Sequence, residues 1–224
     1  MKKALSFFIL ILCIPAVITI GSIVFQDKQY AFISLAIALL ACIPFFLTFE
    51  QRAQSTSKLI LIAVMTALSV LGRLLFGVLP GFKPVTAIVV ITAMYFGSEA
   101  GFMVGALTAV ISNFYFVQGP WTPFQMFSWG LIGFLAGLIA DRLKKSRLAL
   151  SLYGAFAGVA FSLLMDVWMV LWWDGSFHFA RYGAVLISSF GNTALYAGSN
   201  ILFLLVLAKP IGVKLERIKD KFGI

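Results

Sequence analysis

The sequence predicts an all-α integral membrane protein with eight transmembrane helices. Of its 224 residues, 62% are hydrophobic and 11% are charged, the mean hydropathy is +1.04, and long apolar runs recur along the chain. A bilayer core about 30 Å thick requires roughly 20 apolar residues per helix, and only helices and closed barrels satisfy their backbone groups there. Because alternating segments of about ten residues are absent, the spans are predicted to be helices.

The eight apolar runs follow one another with short polar interruptions. Several are shorter than a full span, above all the fourth, and such helices are expected to lean on their neighbours and to end before crossing the bilayer completely. In chain order the runs are residues 6–25, 30–49, 59–77, 84–96, 101–116, 125–140, 148–173 and 182–208.

A polar loop divides the chain into two parts. The first two runs form a predicted transmembrane hairpin at residues 1–49, and its opening sequence, MKKALSFFILILCIPA, has the basic start and apolar run of a signal peptide. No small-residue cleavage site follows promptly and a second span comes at once, so a retained helix is expected. The cytoplasmic loop EQRAQSTSK, 50–58, then precedes a six-helix core at 59–209 and a basic cytoplasmic tail at 210–224.

Small residues at four-residue spacing mark the later spans. Such spacing lets membrane helices approach closely, so tight packing within the molecule is predicted. For the first of these pairs the alternative is a surface for a partner helix. The pairs are Ala63 and Ala67, Gly101 and Gly105, Gly133 and Gly137, and Gly154 and Gly158.

The basic residues predict the orientation, because Lys and Arg collect on the cytoplasmic side. With both termini inside, thirteen of the 17 basic residues are cytoplasmic, three are outside (Lys28, Lys83 and Arg181), and Arg73 lies within a span. The formal net charge of +9 therefore reflects topology and does not indicate a nucleic-acid partner.

In this orientation the polar residues of the spans gather in the outer half of the membrane. Such residues are costly in lipid and mark a functional site by default. Asp166 and Trp173 share one helix face, and Asn192 and Tyr196 share another, so the two stripes are predicted to line one cavity. The alternative is that an ion pair between Arg73 and Asp166, with interhelical amide hydrogen bonds, only fixes the packing.

The segment SNFYFVQGPWTPFQMFSWG, residues 112–130, interrupts the apolar sequence with amides, prolines and tryptophans. Asn113, Gln118 and Gln125 are neutral donors and acceptors on a chain stiffened by prolines. They indicate a rigid lid over a site for a polar but uncharged organic molecule. Trp121 and Trp173 have an alternative role as anchors at the membrane interface.

The sequence contains no recognisable catalytic motif. DGSFHFAR, residues 174–181, departs from the spacing of phosphatidyltransferases, and no acidic pair at helical spacing could hold a metal. No Walker A lysine, nucleophile elbow or zinc-protease motif is present. We therefore expect a non-catalytic transporter with no metal and no bound cofactor, in which either Asp166 couples protons or a partner supplies energy.

Residues 59–208, and above all KPVTAIVVITAMYFGSEAGFMVGALTAVISNFYFVQGPWTPFQMFSWGLIGFLAGL at 83–138, resemble the substrate-binding S components of energy-coupling factor (ECF) vitamin transporters, in particular the cobalamin-type branch. The resemblance implies a six-helix bundle in the bacterial cell membrane that captures a vitamin from outside. The bundle would dock on one membrane scaffold subunit and two cytosolic ATPases, which use ATP. The expected docking motif is AVMTA, at Ala63 and Ala67.

Cobalamin is the substrate that this resemblance implies. Its amide side chains and flat ring suit Asn and Gln contacts with aromatic walls. The alternatives are another vitamin such as pantothenate, which needs a cation such as Arg73 or Lys83, and a proton-coupled carrier that uses Asp166. The candidate substrate-binding residues are Arg73, Lys83, Asn113, Gln118, Trp121, Gln125, Trp129, Asp166, Trp173, Asn192 and Tyr196.

Overall fold

The computed structural model describes residues 56–223 continuously, together with seven helical positions between residues 36 and 47. The predicted first span, 6–25, lies outside the described residues, as does most of the second span and of the polar loop. The count of eight spans and the orientation therefore remain predictions.

Seven helices and no strand make up the continuous described segment, which confirms the predicted all-α class for that part of the chain. Each of the six later apolar runs corresponds to one helix. One additional short helix follows the helix of the run at 125–140. The helices are α1 (Thr56–Leu75), α2 (Val85–Phe96), α3 (Ser98–Phe116), α4 (Thr122–Leu138), α5 (Ala140–Lys145), α6 (Arg147–Asp174) and α7 (Phe179–Phe222).

Four of these helices, α1, α3, α6 and α7, are long and apolar enough to cross a membrane. Helix α2 has 12 residues, which at 1.5 Å per residue gives a length of about 18 Å. It packs against α1, α3, α4 and α7, and every one of its residues except Tyr95 is buried. The shortest predicted span is therefore a central helix, and its uniformly apolar sequence reflects contact with protein on all sides.

The glycine pairs lie at helix crossings, as their spacing predicts. A Cβ atom on Gly101 would lie 2.8 Å from the carbonyl oxygen of Gly133, and one on Gly158 would lie 2.6 Å from a backbone nitrogen of α7. Such distances leave no room for a side chain, so α3 packs closely on α4 and α6 on α7. Ala63 and Ala67 differ, because both are exposed on the surface of α1.

Several helix ends differ from the predicted boundaries by two or three residues, and the end of α7 differs by far more. Helix α1 begins at Thr56, within the predicted loop, and α7 runs past the predicted end of its span at 208, through Pro210, to Phe222. Proline removes one amide donor from a helix. The continuation is stabilised because Leu215 is buried and Ile218 packs against the same apolar core. The basic residues after 208 thus extend a helix that stays attached to the bundle.

Candidate functional site

Polar residues from four helices meet at one end of the bundle. Helix α1 contributes a cation near its last turn, α3 and α4 contribute amides and hydroxyls on both sides of their connecting loop, and α7 contributes a phenol. We define the polar cluster as Arg73, Ser112, Asn113, Thr122, Gln125, Trp129 and Tyr196.

Asn113 is the centre of the polar cluster and is fully buried. Its Oδ1 accepts a hydrogen bond from Arg73 Nη1 at 2.7 Å. Its Nδ2 donates to Thr122 Oγ1 at 2.8 Å and to Gln125 Oε1 at 2.9 Å. One amide thus joins α1, α3 and α4, and both of its polar atoms have partners, as a buried amide requires.

Arg73 is 6% exposed and is stabilised without a carboxylate. Its Nη1 also donates to Ser112 Oγ, and the guanidinium carbon lies 4.6 Å from the ring centroid of Phe116 and 5.0 Å from that of Trp129. Aromatic faces attract a cation most strongly where water is excluded. The Nε atom is buried without a hydrogen-bond partner among the described residues, so one donor of this cation is unused.

An aromatic stack adjoins the polar cluster. Phe161 on α6 lies between Trp129 and Tyr196, with a centroid separation of 5.0 Å to each and interplanar angles of 15° and 19°. Trp129 Nε1 donates to the hydroxyl oxygen of Tyr196 at 3.1 Å. The three rings therefore join α4, α6 and α7 beside the hydrogen-bonding groups of the polar cluster.

The loop before α2 is attached to the same end of the bundle. The backbone nitrogen of Lys83 donates to Ser199 Oγ at 3.0 Å, and Lys83 Nζ lies 5.6 Å from the Phe116 ring that Arg73 also covers. Burial lowers the pKa of the Lys83 amine, and the charge of Arg73 lowers it further. Two cations thus share one aromatic ring.

The loop between α3 and α4 is held by its own side chains. Gln118 Nε2 donates to a backbone carbonyl of α3 at 2.7 Å, and Thr122 Oγ1 donates to Gln118 Oε1 at 3.0 Å. Trp121 contacts Trp168 edge to face at 5.8 Å, and Trp168 stacks on Trp172 at 6.1 Å. The loop therefore joins the polar cluster to a row of tryptophans on α6.

Three candidate residues lie apart from the polar cluster. Asp166 accepts a hydrogen bond from Ser189 Oγ at 2.8 Å and makes no ion pair with Arg73, so the predicted alternative of a buried pair between them is wrong. Trp173 is 78% exposed and lines a cavity of about 180 Å³ between α6 and α7. Asn192 is exposed on α7.

Several residues of this region were missed by the sequence-based prediction. Ser112, Thr122 and Phe161 were not among the candidates, although the first two lie within or beside the segment that attracted attention. Asn200 was missed as well. It is fully buried, and neither of its amide atoms has a partner among the described residues. Its position four residues after Tyr196, on the same helix face, was the available signal.

The chemistry of the polar cluster suits non-covalent binding. It combines neutral donors and acceptors, flat aromatic surface and one fixed cation, and it contains no carboxylate. Within residues 56–223 and the described positions before them, no three His, Cys, Asp or Glu side chains lie close enough to hold a metal ion.

Comparison with known proteins identifies a family for most of the chain. Residues 53–216, about three quarters of the chain, match the family model described as ECF-type riboflavin transporter, S component. No curated protein and no solved structure is significantly similar to the chain. The match covers α1 to α6 and most of α7, and it includes every residue of the polar cluster. It supports an S component and does not support the cobalamin-type branch.

Proposed function

The chain belongs to the family of ECF-type riboflavin transporter S components, and from that membership we propose that it is the vitamin-binding membrane subunit of an ECF importer with riboflavin as its substrate. The observation that carries this proposal is the match over residues 53–216. The family is one of multi-pass membrane transporter subunits and not of enzymes, and it implies association with scaffold and ATPase subunits.

The chemistry of riboflavin fits the polar cluster and its aromatic stack. The vitamin is uncharged and flat, with carbonyl and ring-nitrogen acceptors along one edge and a chain of hydroxyl groups. In the proposed complex the ring system stacks on Trp129, Phe161 or Tyr196 in place of one of the contacts within the aromatic stack, and Gln125 supplies an amide group that the hydroxyl chain can bond. A site with few polar groups and mostly aromatic walls is typical for such a ligand.

Arg73 has a specific role in this proposal. Its unused Nε is a charge-assisted donor in a dry environment, and hydrogen bonds from charged donors are roughly twice as strong as neutral ones. A flavin carbonyl would accept from it. Ser128 Oγ, also buried without a partner, is a second group available to the ligand. Gln118, Trp121 and Lys83 are proposed to close the site through the loops that carry them.

The proposed docking surface is the exposed face of α1. Ala63 and Ala67 are exposed there, and they are flanked by the exposed apolar residues Ile60, Val64 and Leu71. Small residues let a partner helix approach closely. We propose that the scaffold subunit packs on this face, and that the two ATPases provide the energy for transport.

Ligand binding to the purified protein tests the proposed substrate. In detergent, riboflavin fluorescence is expected to fall to a plateau at one vitamin per chain, because stacking on aromatic rings quenches it. Cobalamin and pantothenate are offered in parallel, and cobalamin is measured by visible absorbance in the protein peak after gel filtration. Retention of cobalamin without riboflavin, or of neither by folded protein, would overturn the flavin proposal and leave the family membership intact.

A matched pair of variants localises the binding. Phe161→Leu removes the ring that stacks on Trp129 and Tyr196, and Phe190→Leu removes a ring that is 72% exposed on α7. Stacking is worth about 1–3 kcal/mol per ring, so Phe161→Leu is expected to weaken riboflavin binding about tenfold. Phe190→Leu should leave the affinity unchanged. Equal affinities for both variants would place the flavin elsewhere.

A further inference from the structure

A second cavity lies at the other end of the bundle from the polar cluster. It has a volume of about 380 Å³ and is formed by the end of α2, the α5–α6 turn and α7. Its lining includes Lys144, Lys145, Arg147 and Lys209, together with Tyr95 and apolar residues such as Leu150. Neither the family match nor the proposed transport function assigns a role to this cavity.

The charge around this cavity is strongly positive. Its four cationic side chains come from α5, α6 and α7 and converge on one space, and its lining contains no carboxylate. None of the four makes an ion pair with another described residue. An acidic side chain, Glu216 on α7, acts electrostatically on Tyr95 but is not part of the lining. The local charge therefore stays positive with Glu216 included.

The general excess of basic residues at this end of the bundle does not account for the arrangement. Other cations of the same end, Lys214, Arg217, Lys219 and Lys221, do not line the cavity. Lys144 is also oriented, because its Nζ lies 4.4 Å from the centroid of the Tyr95 ring. Such a contact holds the ammonium over the ring at the edge of the cavity.

The lining is amphipathic, and exposed apolar residues of α6 lie near it in the chain. Leu150, Leu205 and Ala208 line the cavity beside the cations. On the surface of α6, Leu148 and Leu152 are 70% and 63% exposed. A ligand with a phosphate group followed by an apolar chain fits this lining, with the phosphate at the cations and the chain on the apolar residues. Basic pockets between transmembrane helices are known to accept the head groups of anionic lipids.

We infer that this cavity binds the head group of an anionic phospholipid. The phosphodiester lies among Lys144, Lys145, Arg147 and Lys209, and the first methylenes of an acyl chain pass over Leu150 toward the bilayer. The occupant is taken from the membrane and not from solution, because the apolar side of the lining contributes to binding. This inference does not rest on the proposed vitamin or on the orientation of the chain.

Native mass spectrometry of the full chain in detergent tests the inference, with phosphatidylglycerol, phosphatidylcholine and inorganic phosphate as probes. The wild type is expected to retain one phosphatidylglycerol at least about tenfold more tightly than phosphatidylcholine, since each basic residue near an anionic head group strengthens binding about fivefold. Inorganic phosphate should displace that lipid only at far higher concentration. Displacement by phosphate at the concentrations at which the lipid binds would overturn the lipid as occupant.

Two triple variants with equal loss of charge separate the cavity from general attraction. Lys144→Gln with Lys145→Gln and Arg147→Gln should abolish the preference for phosphatidylglycerol. Arg217→Gln with Lys219→Gln and Lys221→Gln should keep it, and an equal effect of both would refute the site. Val213→Trp fills the cavity edge without changing the charge and is expected to weaken lipid binding, while thermal unfolding shows whether each variant is folded.

Discussion

Replacing Asn113 by leucine removes the centre of the polar cluster while keeping the number of side-chain heavy atoms. Leucine neither accepts from Arg73 Nη1 nor donates to Thr122 Oγ1 and Gln125 Oε1, so three hydrogen bonds are lost together. Arg73 keeps Ser112, and Thr122 keeps Gln118. Gln125 Oε1 loses the bond it receives from Asn113.

The expected cost follows from the type of each bond. The bond from Arg73 involves a charged donor and contributes about 1.5–3 kcal/mol. Each of the two neutral bonds contributes about 0.6 kcal/mol, the average for hydrogen bonds between membrane helices. The total is about 3–4 kcal/mol. For a chain of this size, 1 kcal/mol lowers Tm by about 2–4 °C, so Asn113→Leu should lower Tm by about 6–16 °C.

Thermal unfolding of the purified protein in one detergent measures this difference. Asn192→Leu is the matched control, because Asn192 is exposed on α7 and its side chain makes no hydrogen bond within the described part of the chain. Its Tm should stay within about 2 °C of the wild type, as expected for a surface substitution. If Asn113→Leu also unfolded within 2 °C of the wild type, the reasoning that these bonds hold α1, α3 and α4 together would be refuted.

Three further outcomes are expected. Gly133→Ala places a Cβ 2.5 Å from the Gly101 carbonyl oxygen and should destabilise the protein by about 1–3 kcal/mol in thermal unfolding. Gly191→Ala, with nothing within 4 Å of its Cβ, should be neutral or stabilising. Ala67→Leu should reduce co-purification with the scaffold and ATPase subunits while riboflavin affinity stays unchanged; equal co-purification would exclude this face. The Asp166→Asn variant should still support ATP-dependent uptake in vesicles that contain the whole complex. If this variant lost uptake although ATP was present, the proton-coupled alternative would be favoured.

The sequence predicts most of the described helices because hydropathy reports directly on burial in lipid. The six later runs each become a helix, and the short fourth run becomes the buried helix α2. The continuation of α7 beyond 208 was missed. Hydropathy falls where basic residues appear, and Pro210 suggests an end, although the apolar residues Ile211, Leu215 and Ile218 keep the helical spacing that attaches this segment to the core.

The site was predictable in part, for a related reason. Position along a helix gives the level of a residue in the bundle, and Arg73, Asn113, Gln125, Trp129 and Tyr196 are joined by the contacts of the polar cluster. That level does not give the rotation of a helix about its own axis or the tilt of its end. Rotation and tilt decide that Asp166 contacts Ser189 instead of Arg73, and that Asn192 is exposed.

The same limit explains why the resemblance was right at the level of the S component and was not supported at the level of the vitamin. Neutral amides beside aromatic rings suit both a large corrin and a flat flavin, so residue types do not separate them. What separates them is which polar atoms are free. In the polar cluster Asn113 is fully bonded, so a ligand that engages it exchanges one bond for another with little net gain. Arg73 Nε and Ser128 Oγ have no hydrogen-bond partner among the described residues, so a ligand acceptor would add a new bond at each. This pattern supports our proposal of a small planar ligand with a few acceptors instead of a bulky one with many amides.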